Sequence, residues 1–307
     1  MIFRTDSIRE RRRRIKIVTY IGALVILLYV LLPVIWMFLS SIQTDDALTT
    51  KPFNPLPGLD QFFLDNYYFA LTGLTPPAFE GFEAFQTVAG LQILPTLLNS
   101  LIVATAVAAI TLSLGSICAY SFARIRFRLD RKLFASLMGS RLLPYITILI
   151  PIFIIVKSLG ILDSLLSLIL VYSAMLLPWR VWLLTIYFQS FPESIEEAAR
   201  IDGCTRFQTL YRVVLPLSRP GLAAVGVFSF MEAFGEFIFA LILTSTIASQ
   251  TLPVTLAALT RGGLWYSRSL MMAVATVGTI PPVFLAVVFR KYVIEGLTSQ
   301  FGIRATT

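Results

Sequence analysis

An all-α membrane protein with six spanning helices is the fold class this sequence predicts, on three observations. Hydrophobic residues make up 57% of the 307 residues and charged ones only 14%, against about a quarter charged in a soluble domain. Six apolar windows, about 17–40, 93–122, 133–156, 163–190, 220–243 and 270–290, approach or exceed the ~20 residues that one helical crossing of a bilayer takes. Basic clusters fall in every second connection, as the rule that Lys and Arg stay on the cytoplasmic side requires.

The first 16 residues form a basic tail containing RERRRRIK, followed by the first span at 17–40. Such a tail can open a signal peptide, but the window exceeds a signal core of roughly 7–15 residues and no cleavage site is evident. An uncleaved first helix is expected. The extracytoplasmic segment at 41–92 carries Asp45, Asp46, Asp60, Asp65, Glu80 and Glu83 against Lys51 alone, with Pro, Gly and aromatic residues suited to a folded cap. The core follows at 93–296, with the basic connection RIRFRLDRK at 124–132, the short outer link KSLGILD, a cytoplasmic segment at about 191–219, an outer segment at about 244–269, and a cytoplasmic tail at 297–307. Both termini are expected in the cytoplasm.

Several chemistries fall away. There is no histidine, which removes Ser-His-Asp catalysis and His-ligated metals. Cys118 and Cys204 lie in unrelated segments without metal-ligand spacing, so no bound metal and no disulfide are expected. No phosphate-binding G-x-x-x-x-G-K-[ST] loop occurs; any ATP must be hydrolysed on another chain.

The cytoplasmic segment reads EEAARIDGCTRFQTLYRVVLPLSRPG from Glu196 to Gly221. Ser194 and Glu197 have capping-box spacing, predicting a short helix from there to Asp202 that stops at Gly203. Thr205 and Gln208 repeat the pattern, predicting a second helix that ends near Leu215, because Pro216 disfavours helix in the residue before it. Helices this short are marginal alone in water, so something must pack on them. Ala198 and Ala199 allow close approach, and a helix seated in a partner's groove is a familiar recognition mode. A basic loop resting on lipid headgroups is the plainer alternative. A DNA-binding helix-turn-helix is disfavoured by tethering between two spans, so no nucleic-acid partner is expected.

These residues resemble a known pattern. Glu197, Ala198, Ala199, then Gly203, then Leu215 and Pro216 are similar to the EAA loop of permease subunits of ATP-binding-cassette importers, the smaller carbohydrate permeases of maltose type in particular. NSLIVA at 99–104, AYSFARIRF at 119–127, IPIFIIVKSLGILDSLLSLILVY at 150–172 and EGLTS at 295–299 agree. The resemblance covers roughly 95–300. It implies a type I ABC importer permease fold with a cytoplasmic coupling helix, in a prokaryotic cytoplasmic membrane. It further implies a second, different permease subunit, two ATP-binding subunits that carry ATP and Mg, and an extracytoplasmic solute-binding protein. This chain itself would be no enzyme and would bind no cofactor. By the resemblance, Glu197, Ala198, Ala199, Asp202, Gly203, Leu215 and Pro216 serve ATPase coupling.

The spans hold the second group of candidates. An ionisable residue at membrane depth normally faces a bundle interior or cavity. Glu232 and Glu236 stand one turn apart in the fifth window with Ser229 on the same face, Glu232 about 18 Å past Pro220. Arg141 and Arg180 can snorkel, pair with a Glu, or meet substrate. Aromatic residues that could stack on sugars are Tyr145, Tyr172, Trp179 and Phe234; membrane core or interface is the plainer reading for each. Asn99, at the outer start of the second span, either caps a helix or lines the cavity mouth. Asn99, Arg141, Tyr145, Glu232, Phe234 and Glu236 are thus the candidate substrate pathway. Relatives of this kind often carry Trp-Asn-Glu-Phe and Gln-Met-Ile-Pro where this chain has Phe234-Gly235-Glu236-Phe237 and Arg141-Leu142-Leu143-Pro144. Losing amides and gaining charge raises the prospect of an anionic sugar. The competing functional class is a proton-coupled carrier using Glu232 and Glu236, for which the cytoplasmic helix-Gly-helix element has no evident use; a membrane-bound enzyme is weaker still.

Overall fold

A computed structural model describes residues 3–49, 62–74, 93–125, 127–260 and 267–300. They form helices and connections, with no strand among the described residues. Most of the acidic outer segment predicted at 41–92 lies outside them, as do the last seven residues.

The chain divides into two compact units, Met1–Val88 with Gly262–Val277, and Ala89–Arg261 with Gly278–Thr307. In the first, α1 (Phe3–Ser41) is followed by α2 (Asp45–Thr49) and α3 (Asp65–Thr72). Buried Asn66 donates to the carbonyls of Ser41 and Gln43 at 3.2 and 3.4 Å, tying α3 to the end of α1. Asp45 accepts the backbone N–H of Ser269 at 2.8 Å.

The second unit holds α4 (Ile93–Arg124), α5 (Asp130–Gly139), α6 (Tyr145–Ser158), α7 (Leu165–Gln189), α8 (Glu193–Ile201), α9 (Arg206–Leu217), α10 (Arg219–Phe234), α11 (Ile238–Leu243) and α12 (Leu252–Leu259). A last helix, α13 (Arg268–Gln300), begins in the first unit and ends in the second. The core of the second unit is laid down by α4 and α7, with Ala119, Val181, Leu184 and Phe188 buried beside Leu210, Val214 and Val225 from α9 and α10. Small residues set how closely helices meet: a Cβ at Gly221 would fall 2.6 Å from the Tyr187 ring.

Four helical stretches, Arg13–Ser41, Ile93–Arg124, Leu165–Gln189 and Arg268–Glu295, are each long and apolar enough to cross a membrane. Among the described residues up to six crossings result if two bent pairs count as one span each. Here the structure corrects the sequence reading. The window at 133–156 is not one helix: α5 and α6 meet at 100°. The cause is local, since Leu143 precedes Pro144 and is driven to an extended conformation, φ −74° and ψ 124°. The window at 220–243 is also divided, because α10 ends at Phe234 and helix resumes only at Ile238.

Candidate functional site

The cytoplasmic element forms largely as its residues dictate. α8 ends at Ile201, and Gly203 adopts φ 86°, a left-handed conformation that glycine reaches without the Cβ penalty. Thr205 and Gln208 make a reciprocal capping box at the start of α9. The box expected at Ser194 and Glu197 does not form; α8 starts at Glu193, and Pro192 occupies the cap position without a side-chain bond. Nor does α9 end at Leu215. A wide π turn over Leu210–Val214, in which Leu215 N–H reaches the Leu210 carbonyl, carries helix through Pro216 to Leu217, and the 82° bend comes after it. The widened turn relieves the clash that a proline ring makes with the carbonyl four residues back.

Glu196 is the buried side chain of α8, while its neighbours Glu197 and Ala198 face outward, as do Asp202, Gly203 and Pro216; Ala199 and Leu215 are half-buried. Glu196 accepts from Arg124 Nε at 2.6 Å and from the Tyr120 hydroxyl at 3.0 Å. Sequence reasoning missed all three residues, although Tyr120 and Arg124 lie within AYSFARIRF. Three large apolar side chains stand out among the charged ones exposed on α8 and α9: Ile201 is 86% exposed, Phe207 62% and Tyr211 65%, with the two rings 5.8 Å apart.

Membrane-depth charges converge on Glu232. Arg180, only 2% exposed, donates Nε to Ser229 Oγ at 2.8 Å and a terminal nitrogen to Glu232 Oε2 at 2.5 Å. Arg180 does not snorkel. Arg141 stands 3.9 Å from Glu232 Oε1, donates to the Met175 carbonyl at 3.1 Å and to the Tyr145 hydroxyl, and lies over the Tyr145 ring. Glu236 is not one turn further along the same helix. It falls in the link after α10 and accepts the N–H groups of Phe239 and Ala240 at 2.9 and 3.2 Å, capping α11.

Tyr145, Tyr172, Met175, Glu232, Glu236 and Ile238 line one cavity. Arg141 and Tyr145 also border a larger, mostly apolar one of about 360 Å³ between α6 and α7. Irregular backbone at membrane depth is tolerated where it lines a cavity or is buried in protein, and the break at Ser140–Pro144 opens on this space. Of two other candidates, Phe234 turns inward, 7% exposed and stacked on Phe230, whereas Trp179 is exposed and stacks on Trp182. Asn99 lies inside α4 and caps no helix end; its amide nitrogen is shared by the carbonyls of Ile247, Ala248 and Gln250 at 3.0, 3.2 and 2.9 Å.

A third cluster closes the opposite end of the unit. Asp163, in the loop between α6 and α7 at φ 58°, accepts the N–H groups of Ser245 and Thr246 at 2.8 and 3.0 Å and the Ser249 hydroxyl. Burial opposes its ionisation, but these donors prevail and hold the carboxyl well below the usual carboxylate range. Among the described residues no group of side chains could hold a metal ion.

Residues 111–299 match the family model described as the binding-protein-dependent transport system inner membrane component. The chain belongs to this family. Such permeases among its relatives include the sulfoquinovosyl glycerol transport system permease protein SmoH of Agrobacterium fabrum, 32% identical over 91% of both chains. Another is the trehalose/maltose transport system permease protein MalG of Thermococcus litoralis, 32% identical over 92% of this chain and 95% of the relative. A crystal structure of a bacterial ABC transporter involved in import of the acidic polysaccharide alginate shares the permease fold, with a TM-score of 0.72 at 22% identity, over 91% of this chain and 96% of that one. The family is membrane-spanning, which agrees with the apolar helices above.

Proposed function

We propose that this chain is a permease subunit of an ATP-driven importer that moves a sugar or sugar derivative, delivered by a solute-binding protein, into the cytoplasm. The observation that carries it is the α8–Gly203–α9 knob, bound on one side through Glu196 and presenting Ile201, Phe207, Tyr211 and Glu197 on the other. Exposed apolar side chains set among charged ones suit a groove on an ATPase subunit, with Ala198 allowing close approach. ATP and Mg belong to two such subunits, a second and different permease completes the pathway, and both termini lie in the cytoplasm. The sugar assignment is supported by relatives that transport sulfoquinovosyl glycerol and trehalose or maltose. Tyr145, Glu232 and Glu236 would face the path, with Arg141 beside them.

Purification in mild detergent from host membranes, wild type beside Glu197→Lys and Gly203→Asp, tests this reading. Wild type should bring down an ATPase and a second permease, and both variants should lose the ATPase alone. A chain recovered without an ATPase, unaffected by either change, would favour a proton-coupled carrier centred on Glu232 and Glu236.

One observation favours an acidic sugar. Two guanidinium groups, Arg141 and Arg180, share the single carboxylate of Glu232, while the Glu236 carboxylate, on the wall of the same cavity, accepts N–H groups of α11. Arg141, 3.9 Å from Glu232, is thus the less closely paired of the two, and an anionic substituent in the cavity would give it a second partner. An Arg141→Gln variant should lose uptake of an acidic oligosaccharide while keeping that of a neutral disaccharide; unchanged uptake of the acidic one would sink the idea.

A further inference from the structure

The stretches AYSFARIRF at 119–127 and EEAARIDG at 196–203, some seventy residues apart, are joined by one guanidinium. Arg124 closes α4 and its side chain is 9% exposed. Its Nε donates to Glu196, one terminal nitrogen donates to the carbonyls of Phe188 and Phe191 at 2.8 Å each, and the other lies 3.7 Å from Glu193. Phe188 belongs to the last turn of α7, whose carbonyls lack the donor four residues on. Tyr120, one turn back along α4, holds the second oxygen of Glu196. Three helices thus converge on a single planar fork: the end of α4, the end of α7 and the start of α8.

The geometry has mechanical content. A guanidinium presents five donors in a rigid plane, whereas an ammonium is a compact charge on a flexible stem. Charge-assisted bonds at these distances are short and directional. No other side chain of α8 is buried, so the orientation of this nine-residue helix relative to the spans depends on Glu196.

We propose that Arg124, with Tyr120 and Glu196, is a positioning group for energy coupling, making α8 a rigid extension of both α4 and α7. Displacement of α8 then reaches the ends of two spans together and is not absorbed in the connection at Ser190–Pro192. This role rests on the reading that α8 meets an ATPase, and its test is chosen to fail separately from that reading.

The importer, purified with its ATPase and placed in lipid nanodiscs, is assayed for basal ATP hydrolysis and for hydrolysis stimulated by its solute-binding protein carrying the ligand retained from the host. Glu196→Gln and Arg124→Lys should keep the ATPase bound and keep basal hydrolysis, while the stimulated-to-basal ratio falls roughly fivefold or more. Tyr120→Phe should fall less. In a Cys118→Ser background, maleimide labelling of Cys204, which follows the α8 turn, should become faster in the same variants. A purely structural role would lower the yield of complex and leave the ratio per complex unchanged. An ATPase retained with an unchanged ratio and an unchanged Cys204 rate in Glu196→Gln overturns the brace alone. A wild-type chain that retains no ATPase overturns the coupling reading and this role with it.

Discussion

Arg180, buried to 2% exposure, is held by a Glu232 side chain that is itself 41% exposed to the cavity. The pair is therefore asymmetric: among the described residues Arg180 has only Ser229 besides Glu232 to replace water, whereas Glu232 is partly solvated. Removing Glu232 strands the guanidinium, and breaking a buried pair from one side costs about 3–5 kcal/mol. Glu232→Leu should fall at the low end, about 3 kcal/mol, because the cavity admits water. Adding Arg180→Met should restore most of the loss, since no unpaired charge is then left inside. Heating followed by size-exclusion of the detergent-solubilised complex measures both; a double variant no more stable than Glu232→Leu would contradict this account.

Asp163 makes stability depend on pH in one direction. Its carboxyl is held below the ordinary carboxylate range by Ser245, Thr246 and Ser249 against the effect of burial. A group depressed in the folded state contributes fully above its unfolded value, near pH 4, and loses that contribution as pH falls through the folded value. Wild type should therefore become less stable on acidification below about pH 4. Asp163→Asn keeps a residue that tolerates φ 58°, so it should be less stable at pH 7 and show a flatter acid limb. Thermal midpoints across pH 3 to 7 decide it.

Gly221 and Gly115 should respond oppositely to alanine. At Gly221 the new methyl would sit 2.6 Å from the Tyr187 ring, whereas at Gly115 the nearest atom, Leu184 Cδ1, is 3.6 Å away. Overpacking costs about 1–3 kcal/mol, while a glycine-to-alanine change in a helix with room gains up to about 1 kcal/mol. Gly221→Ala should lower the yield of folded protein and Gly115→Ala should not.

Asn99→Ala should loosen the outer connection at 244–251. Three carbonyls lose their shared donor, a loss of about 1–2 kcal/mol. Hydrogen exchange in that segment should rise while the α4 and α7 cores stay protected; uniform exchange across the unit would argue for global damage.

The sequence disclosed the long apolar spans because continuous hydropathy survives any packing arrangement. It disclosed Gly203 and the Thr205–Gln208 box because both are decided by a few neighbouring residues. It did not disclose that Arg141 sits at a sharp break, since Pro144 can kink a helix or end it and only the packing around it decides which. The convergence on Glu232 was half legible: the charges were evident, but the division of one carboxylate between Arg141 and Arg180 needs coordinates from three segments. Glu196 was hidden beside Glu197, because two adjacent glutamates on a short helix look alike until one is turned toward Tyr120 and Arg124.

The break between α5 and α6 also bears on how the protein is made. The two helices have 10 and 14 residues, about 15 and 21 Å at the usual rise, and neither alone crosses a hydrocarbon core of about 30 Å. α4 and α7, with 32 and 25 residues, are each long enough. The stretch between them reaches across only as a bent pair whose two pieces enter together, so its settling in the bilayer would depend on the longer helices that flank it. Biogenesis of this permease would then proceed by helical hairpins, with the long helices entering first and the broken one drawn in against them.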